Sequence, residues 1–219
     1  MVPPGVSGLR SRFEALLRRL GAGGDTGACA EALLEAWAAP QRRYHDTSHL
    51  VDCLDRLDEA PALPSERDLV EAALWFHDAV YDPLATDNEE RSAEWARRAL
   101  ARLGVSPSTI EEVARLVLLT RHTAPPEDPA GRLLCDVDLS ILGRAPAEFD
   151  EYDRRIRAEY AAVPEAAYRE GRRRILSALL TREPLYGTRL FRERYEAAAR
   201  ANLRRAIQRL GSSDQMPVG

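Results

Sequence analysis

The stretch SERDLVEAALWFHDAVYD, residues 65–82, decides how the chain is read. Val70, Ala73 and Leu74 recur three or four residues apart, the spacing of a helix that buries one stripe. Ser65 and Asp68 stand in the relation of a capping box at its start. The pattern predicts a helix over residues 65–81 whose apolar end carries His77 and Asp78 toward the core. A buried charge is costly unless it is paired or binds a metal, so the rest of the chain must supply a partner.

Outward from this segment the same periodicity recurs, with no alternating β-branched run and no hairpin turn, and it predicts an all-α fold of about ten helices. Thr47 or Ser48 caps one helix. Asp87 and Glu90 form a second capping box, with Asn88 or Glu89 as residues that could instead reach into a pocket. Ser106 with Pro107 opens a helix running to His122, and RLLCDVDLSILG, residues 132–143, is another, closed by Gly143. At 219 residues, with short connections and no repeat, a single helical domain over residues 1–219 is expected, its core at about 9–209 and its tail at 212–219 disordered.

The net charge of -4 argues against a nucleic-acid partner. All 31 cationic side chains are Arg, so a single Arg carries little information. Cys29, Cys53 and Cys135 form neither a disulfide framework nor a thiolate zinc site and read as buried apolar residues of a reducing cytosol. No leader and no membrane span is visible, and a cytoplasmic protein is expected.

There are 4 His: His45, His49, His77 and His122. Asp46, before a helix start, reads as a capping residue. His77 shares the stripe of Val70, Ala73 and Leu74. Asp138 shares a face with Leu134, Ile141 and Leu142, whereas Asp136 points elsewhere. His122 follows Leu118 and Leu119, and His49 stands in the first turn of a helix ahead of Val51, Leu54 and Leu57. Imidazoles and carboxylates facing one core satisfy each other most simply by sharing a cation. Mixed N and O donors suit Mn, Fe, Co, Ni or Zn better than Mg or Ca.

The order His49, His77-Asp78, Asp138 resembles the H…HD…D signature of the HD superfamily of metal-dependent phosphohydrolases. The blocks RYHDTSHL, WFHDAVYD, NEERSA, TRH, DVDLSILG and GRRRIL resemble an uncharacterised bacterial branch of it, over residues 9–209. The resemblance implies a single HD-domain helical bundle in which His49, His77, Asp78 and Asp138 hold one divalent transition metal. Binuclear members use a further His between the HD pair and the distal Asp, where this chain has only His122. HDAVYD also resembles the H-D-x-x-E-D block of stringent-response nucleotide hydrolases, with Asp82 at the final acid and Tyr81 in place of the Glu.

Phosphoester hydrolysis needs an activated water, a Lewis acid and donors for the developing charge. Asp82 is the candidate to accept the water's proton, with a turn residue before Pro83 as the alternative. His122 and His45 are candidates to protonate the leaving group, and Arg43 and Arg121 to hold the phosphate. The expected substrate is a nucleotide or another small phosphorylated metabolite. The alternatives are a di-iron HD-type oxygenase, a non-catalytic nucleotide or metal sensor, and a plain helical scaffold, the last of which leaves Asp138 without a partner.

Overall fold

The computed structural model describes residues 6–62 and 64–212. It is all-helical, with ten α-helices and no strand among the described residues. The chain forms two compact units, residues 1–138 and 139–219. The first holds α1 (Val6–Arg19), α2 (Thr26–Trp37), α3 (Thr47–Glu59), α4 (Pro64–Phe76), α5 (Asn88–Arg102), α6 (Pro107–Leu119) and α7 (Pro129–Asp138). The second holds a 3-10 turn at Leu139–Gly143, then α8 (Pro146–Glu159), α9 (Glu165–Leu180) and α10 (Arg189–Gly211). All but Ser212 of the expected disordered tail lies outside the described residues.

In the first unit α4 is the central element, packed against α1, α3, α5, α6 and α7. Its last two turns show why: Val70, Ala72, Ala73, Leu74, Trp75 and Phe76 are all fully buried, on every side of the helix. A helix apolar all round can be stable only when others surround it. The one acid in that run, Glu71, is buried as an ion pair with Arg12, at 2.7 Å.

Helix starts follow local chemistry, with three departures. Ser106 caps α6, accepting from the Thr109 N–H at 3.2 Å, with Pro107 as the first helical residue. Asp46, rather than Thr47 or Ser48, caps α3, because its carboxylate reaches the Ser48 N–H at 2.9 Å. Asp87 occupies the N-cap position of α5 without a side-chain capping bond. Ser65 does not cap α4, which already begins at Pro64.

Helix ends depart further. The helix predicted over 65–81 stops at Phe76, so His77 and Asp78 stand in the turn beyond it. The one predicted to reach His122 stops at Leu119, and His122 has a left-handed backbone, φ 52°. Over 132–143 the α-helix ends at Asp138, and its last five predicted residues are the 3-10 turn.

Gly131 lets α7 approach α6. A Cβ there would lie 2.7 Å from the Leu119 side chain and 2.8 Å from the Pro126 ring. Gly131→Ala should therefore lower stability by about 1–3 kcal/mol through overpacking, although Ala is ordinarily the better helix former by about 1 kcal/mol. Chemical denaturation checks this, and a more stable variant would contradict it.

Candidate metal centre

The carbonyl groups that α4 leaves open at its C-terminus create the site. The His77 N–H bonds the Ala73 carbonyl at 2.8 Å, and the Ala79 N–H bonds that of Phe76 at 3.0 Å. The Trp37 indole N–H donates to the Trp75 carbonyl at 3.0 Å. His77 Nδ1 lies 2.9 Å from the Leu74 carbonyl, to which it can only donate. In the neutral ring this fixes the proton on Nδ1 and leaves the Nε2 lone pair facing the core.

Three helix ends converge on that lone pair. His49, in the first turn of α3, brings its Nε2 within 3.3 Å of His77 Nε2. Asp138, the last residue of α7, brings Oδ1 to 3.2 Å from His49 Nε2 and 3.6 Å from His77 Nε2. Asp78 Oδ2 lies 3.0 Å from His77 Nε2 and 3.9 Å from His49 Nε2. Two donors each about 2.1 Å from one ion lie roughly 3.0–3.4 Å apart as neighbours in octahedral or tetrahedral geometry. His49, His77 and Asp138 could hold a metal ion on this spacing, with Asp78 beside them.

The electrostatics fit the same conclusion. Burial disfavours charge on His77, yet the Asp78 and Asp138 carboxylates outweigh it and hold the imidazole well above its ordinary pKa. Burial likewise opposes charge on Asp138, and His122, His49 and His77 overcome it and hold its carboxyl well below the usual range. Asp78 is lowered too, against its burial, by His77, His45 and His49. Without a cation, a proton on His77 offsets part of the cluster's negative charge.

The two oxygens of Asp138 have separate partners. While Oδ1 faces His49 and His77, Oδ2 lies 2.7 Å from His122 Nε2. His122 thus orients a candidate ligand, and its left-handed backbone is the kind of local strain that persists where surrounding structure fixes a side chain. Asp136 is also buried, at 3% exposure, yet Asp138 is the one that meets the imidazoles.

Other candidate residues lie elsewhere or act differently. Asp82 is exposed, and its carboxylate accepts from the Leu84 N–H at 2.9 Å, as a turn residue's would. The exposed Arg43 donates to the Pro40 carbonyl, and Arg121 pairs with Glu90 and Glu89. His45 is half-buried, its ring 4.3 Å from that of Tyr81 and 5.8 Å from that of His49. Cys53 and Cys135 are buried, and Cys53 Sγ lies 3.8 Å from the His49 ring.

Sequence reasoning missed Ser92 and Arg42 and gave Asn88 another part, reaching into a pocket, whereas all three hold the segment after α4. Ser92 both donates to the Val80 carbonyl and accepts from its N–H, and Asn88, one turn earlier on α5, does the same for Asp82. Neither residue type is rare enough to signal this role from the sequence. Arg42 is the third, taken up below.

Comparison with known proteins adds no identification: no family model, no curated protein and no solved structure matches the chain.

Two predictions follow from the geometry. The wild-type protein should keep a divalent metal through gel filtration, and His77→Ala and Asp138→Asn should each lose it with little change in far-ultraviolet circular dichroism. Wild-type metal content in both variants would contradict the site. The second concerns pH. In chelator-treated protein burial opposes the His122 charge, but the bond to Asp138 and the Cys135 contact prevail and push its pKa up to about 10. Its proton therefore stabilises the metal-free fold fully below about pH 6.5, the ordinary imidazole value. That stabilisation is lost as pH rises through about 10. The Tm of the chelator-treated protein should fall over that range more steeply than that of His122→Gln, and equal slopes would contradict the pairing.

Proposed function

We propose that this chain is a metal-dependent phosphohydrolase of the HD type, acting on a nucleotide or another small phosphorylated metabolite with one divalent transition metal at His49, His77, Asp78 and Asp138. The observation that carries the reading is the convergence of the His49 and His77 Nε2 atoms and an Asp138 oxygen at distances one ion could share, with an Asp78 oxygen 3.0 Å from His77 Nε2. No helix among the described residues is long and apolar enough to cross a membrane.

A cation held by these four residues would supply Lewis acidity to a phosphoryl oxygen and an acidified water. The chain's own residues do the rest. His77 is held by its bond to Leu74 so that Nε2 faces inward, and His122 holds Asp138 through its outer oxygen. Since His122 is engaged by Asp138, proton transfer to the leaving group falls to His45, while Asp82, the candidate for the water's proton, is engaged by its own turn. It is half-buried at the edge of the cluster, near enough to lower the pKa of Asp78, and its ring is backed by Tyr81.

A screen of phosphorylated metabolites with metal-loaded protein tests the reading, with His77→Ala as the blank. Release of phosphate by the wild type alone is expected, and none from any phosphoester would overturn it. On the substrate found, His45→Gln should keep the metal and lower kcat by about 100- to 10,000-fold, the usual worth of a general acid. Asp82→Asn should stay within a few-fold of wild type. The reverse pattern would return the water's proton to Asp82 and take the leaving group's from His45.

A further inference from the structure

Arg42 is one of two adjacent arginines, and the two side chains meet different fates. Arg43 is exposed, whereas Arg42 is only 6% exposed. Its guanidinium donates from Nη1 to the carbonyls of His45 and Asp78, each at 2.7 Å, and from Nη2 to the Ala79 carbonyl at 3.1 Å. It lies over two aromatic rings, 5.4 Å from the centroid of Trp37 and 5.6 Å from that of Tyr81. Those same rings touch the site: Trp37 packs against His77 and His49, and Tyr81 against His45.

A guanidinium is planar, always charged and presents its donors as a rigid fork. Here the fork spans two chain segments that no regular secondary structure joins, the turn after α4 and the turn before α3. Nη1 fixes the main chain of both Asp78, a candidate ligand, and His45, while Nη2 fixes that of Ala79, the neighbour of Asp78. The positive charge also sits where α4 ends and its carbonyls point, the favourable end of the helix dipole for a cation. From the opposite side Ser92 and Asn88 hold Val80 and Asp82 by their main-chain groups.

We propose that Arg42 is a positioning residue of the metal centre. It sets the Asp78 carboxylate against His77 and keeps His45 in register with it, so its loss loosens the ligand set without removing a ligand. This rests on the reading of His49, His77, Asp78 and Asp138 as metal ligands. Partners that orient ligands typically contribute about 10- to 100-fold to metal affinity. Lysine would not replace Arg42, because a single ammonium on a flexible stem lacks the rigid pair of nitrogens that reaches these three carbonyls.

The test is a titration of chelator-treated full-length protein with Co(II), read by its visible absorption spectrum and by the dissociation constant. Wild type, Arg42→Lys, Arg42→Ala, His77→Ala and Arg12→Gln are compared. Arg12 bonds Asp58 and Glu71 rather than any residue of the cluster, so its variant reports the effect of a lost arginine on stability alone. Both Arg42 variants should bind Co(II) about 10- to 100-fold more weakly with an altered spectrum, while Arg12→Gln keeps the wild-type spectrum and affinity. Millimolar ethylguanidinium should restore the wild-type spectrum to Arg42→Ala but not to Arg42→Lys, whose side chain fills the space.

Wild-type spectra and affinities in both Arg42 variants, with His77→Ala unable to bind, would overturn the role of Arg42 and leave the metal centre standing. Equal loss in Arg12→Gln would overturn it as well, by showing that stability alone sets the affinity. Failure of the wild-type protein to bind Co(II), or binding by His77→Ala equal to wild type, would overturn the metal centre itself.

Discussion

Two carboxylates, Asp78 and Asp138, are brought out of water against the imidazoles of His49 and His77, and this arrangement must be neutralised. Neighbouring charges depress both carboxyl pKa values and raise that of His77, so a proton on His77 supplies part of the balance when no cation is bound. A divalent cation would compete with that proton for the same Nε2 lone pair. The convergence of α3, α4 and α7 is tied to this one point, because each contributes its group from a helix end rather than from a helix face.

The end of α4 shows how such a point is held. Its open carbonyls are taken by a ring nitrogen of His77, by the Trp37 indole and by the Ala79 N–H, so the capping of the helix and the orientation of a ligand are one arrangement. Beyond it, residues 78–82 have no helix or strand to order them and are fixed by side chains of Arg42, Ser92 and Asn88 bonding main-chain groups. The half-buried His45 lies at the edge of the cluster, where a substrate could be met, while His122 and Asp82 are engaged elsewhere.

The helices were readable because most bury a periodic stripe, and α4 because its last two turns are apolar on every side. Their ends were not, because tertiary partners set them. Trp37 and the His77 ring stop α4 at Phe76, and the bond to Asp138 goes with His122 leaving the helical path. Asp138 reaches the cluster from the end of α7, not from the helix face expected to run on through Ile141 and Leu142, which lie in the 3-10 turn, and the burial of Asp136 shows that burial alone does not mark a candidate ligand. Arg42 could not be told from Arg43, since loop geometry alone turns one inward, in a chain where every cation but the histidines is Arg. The exposed turn at Asp82 agrees with the plainer of its two readings.

Calorimetric titration of the chelator-treated protein with a divalent transition metal, repeated in buffers of different ionisation enthalpy, tests the central claim most directly. One ion per chain should bind, and the observed heat should depend on the buffer because protons leave the imidazoles as the ion enters. The same titration of Asp138→Asn should show much weaker binding. No saturable heat, or a heat identical in all buffers and unchanged in Asp138→Asn, would contradict a centre built from these residues.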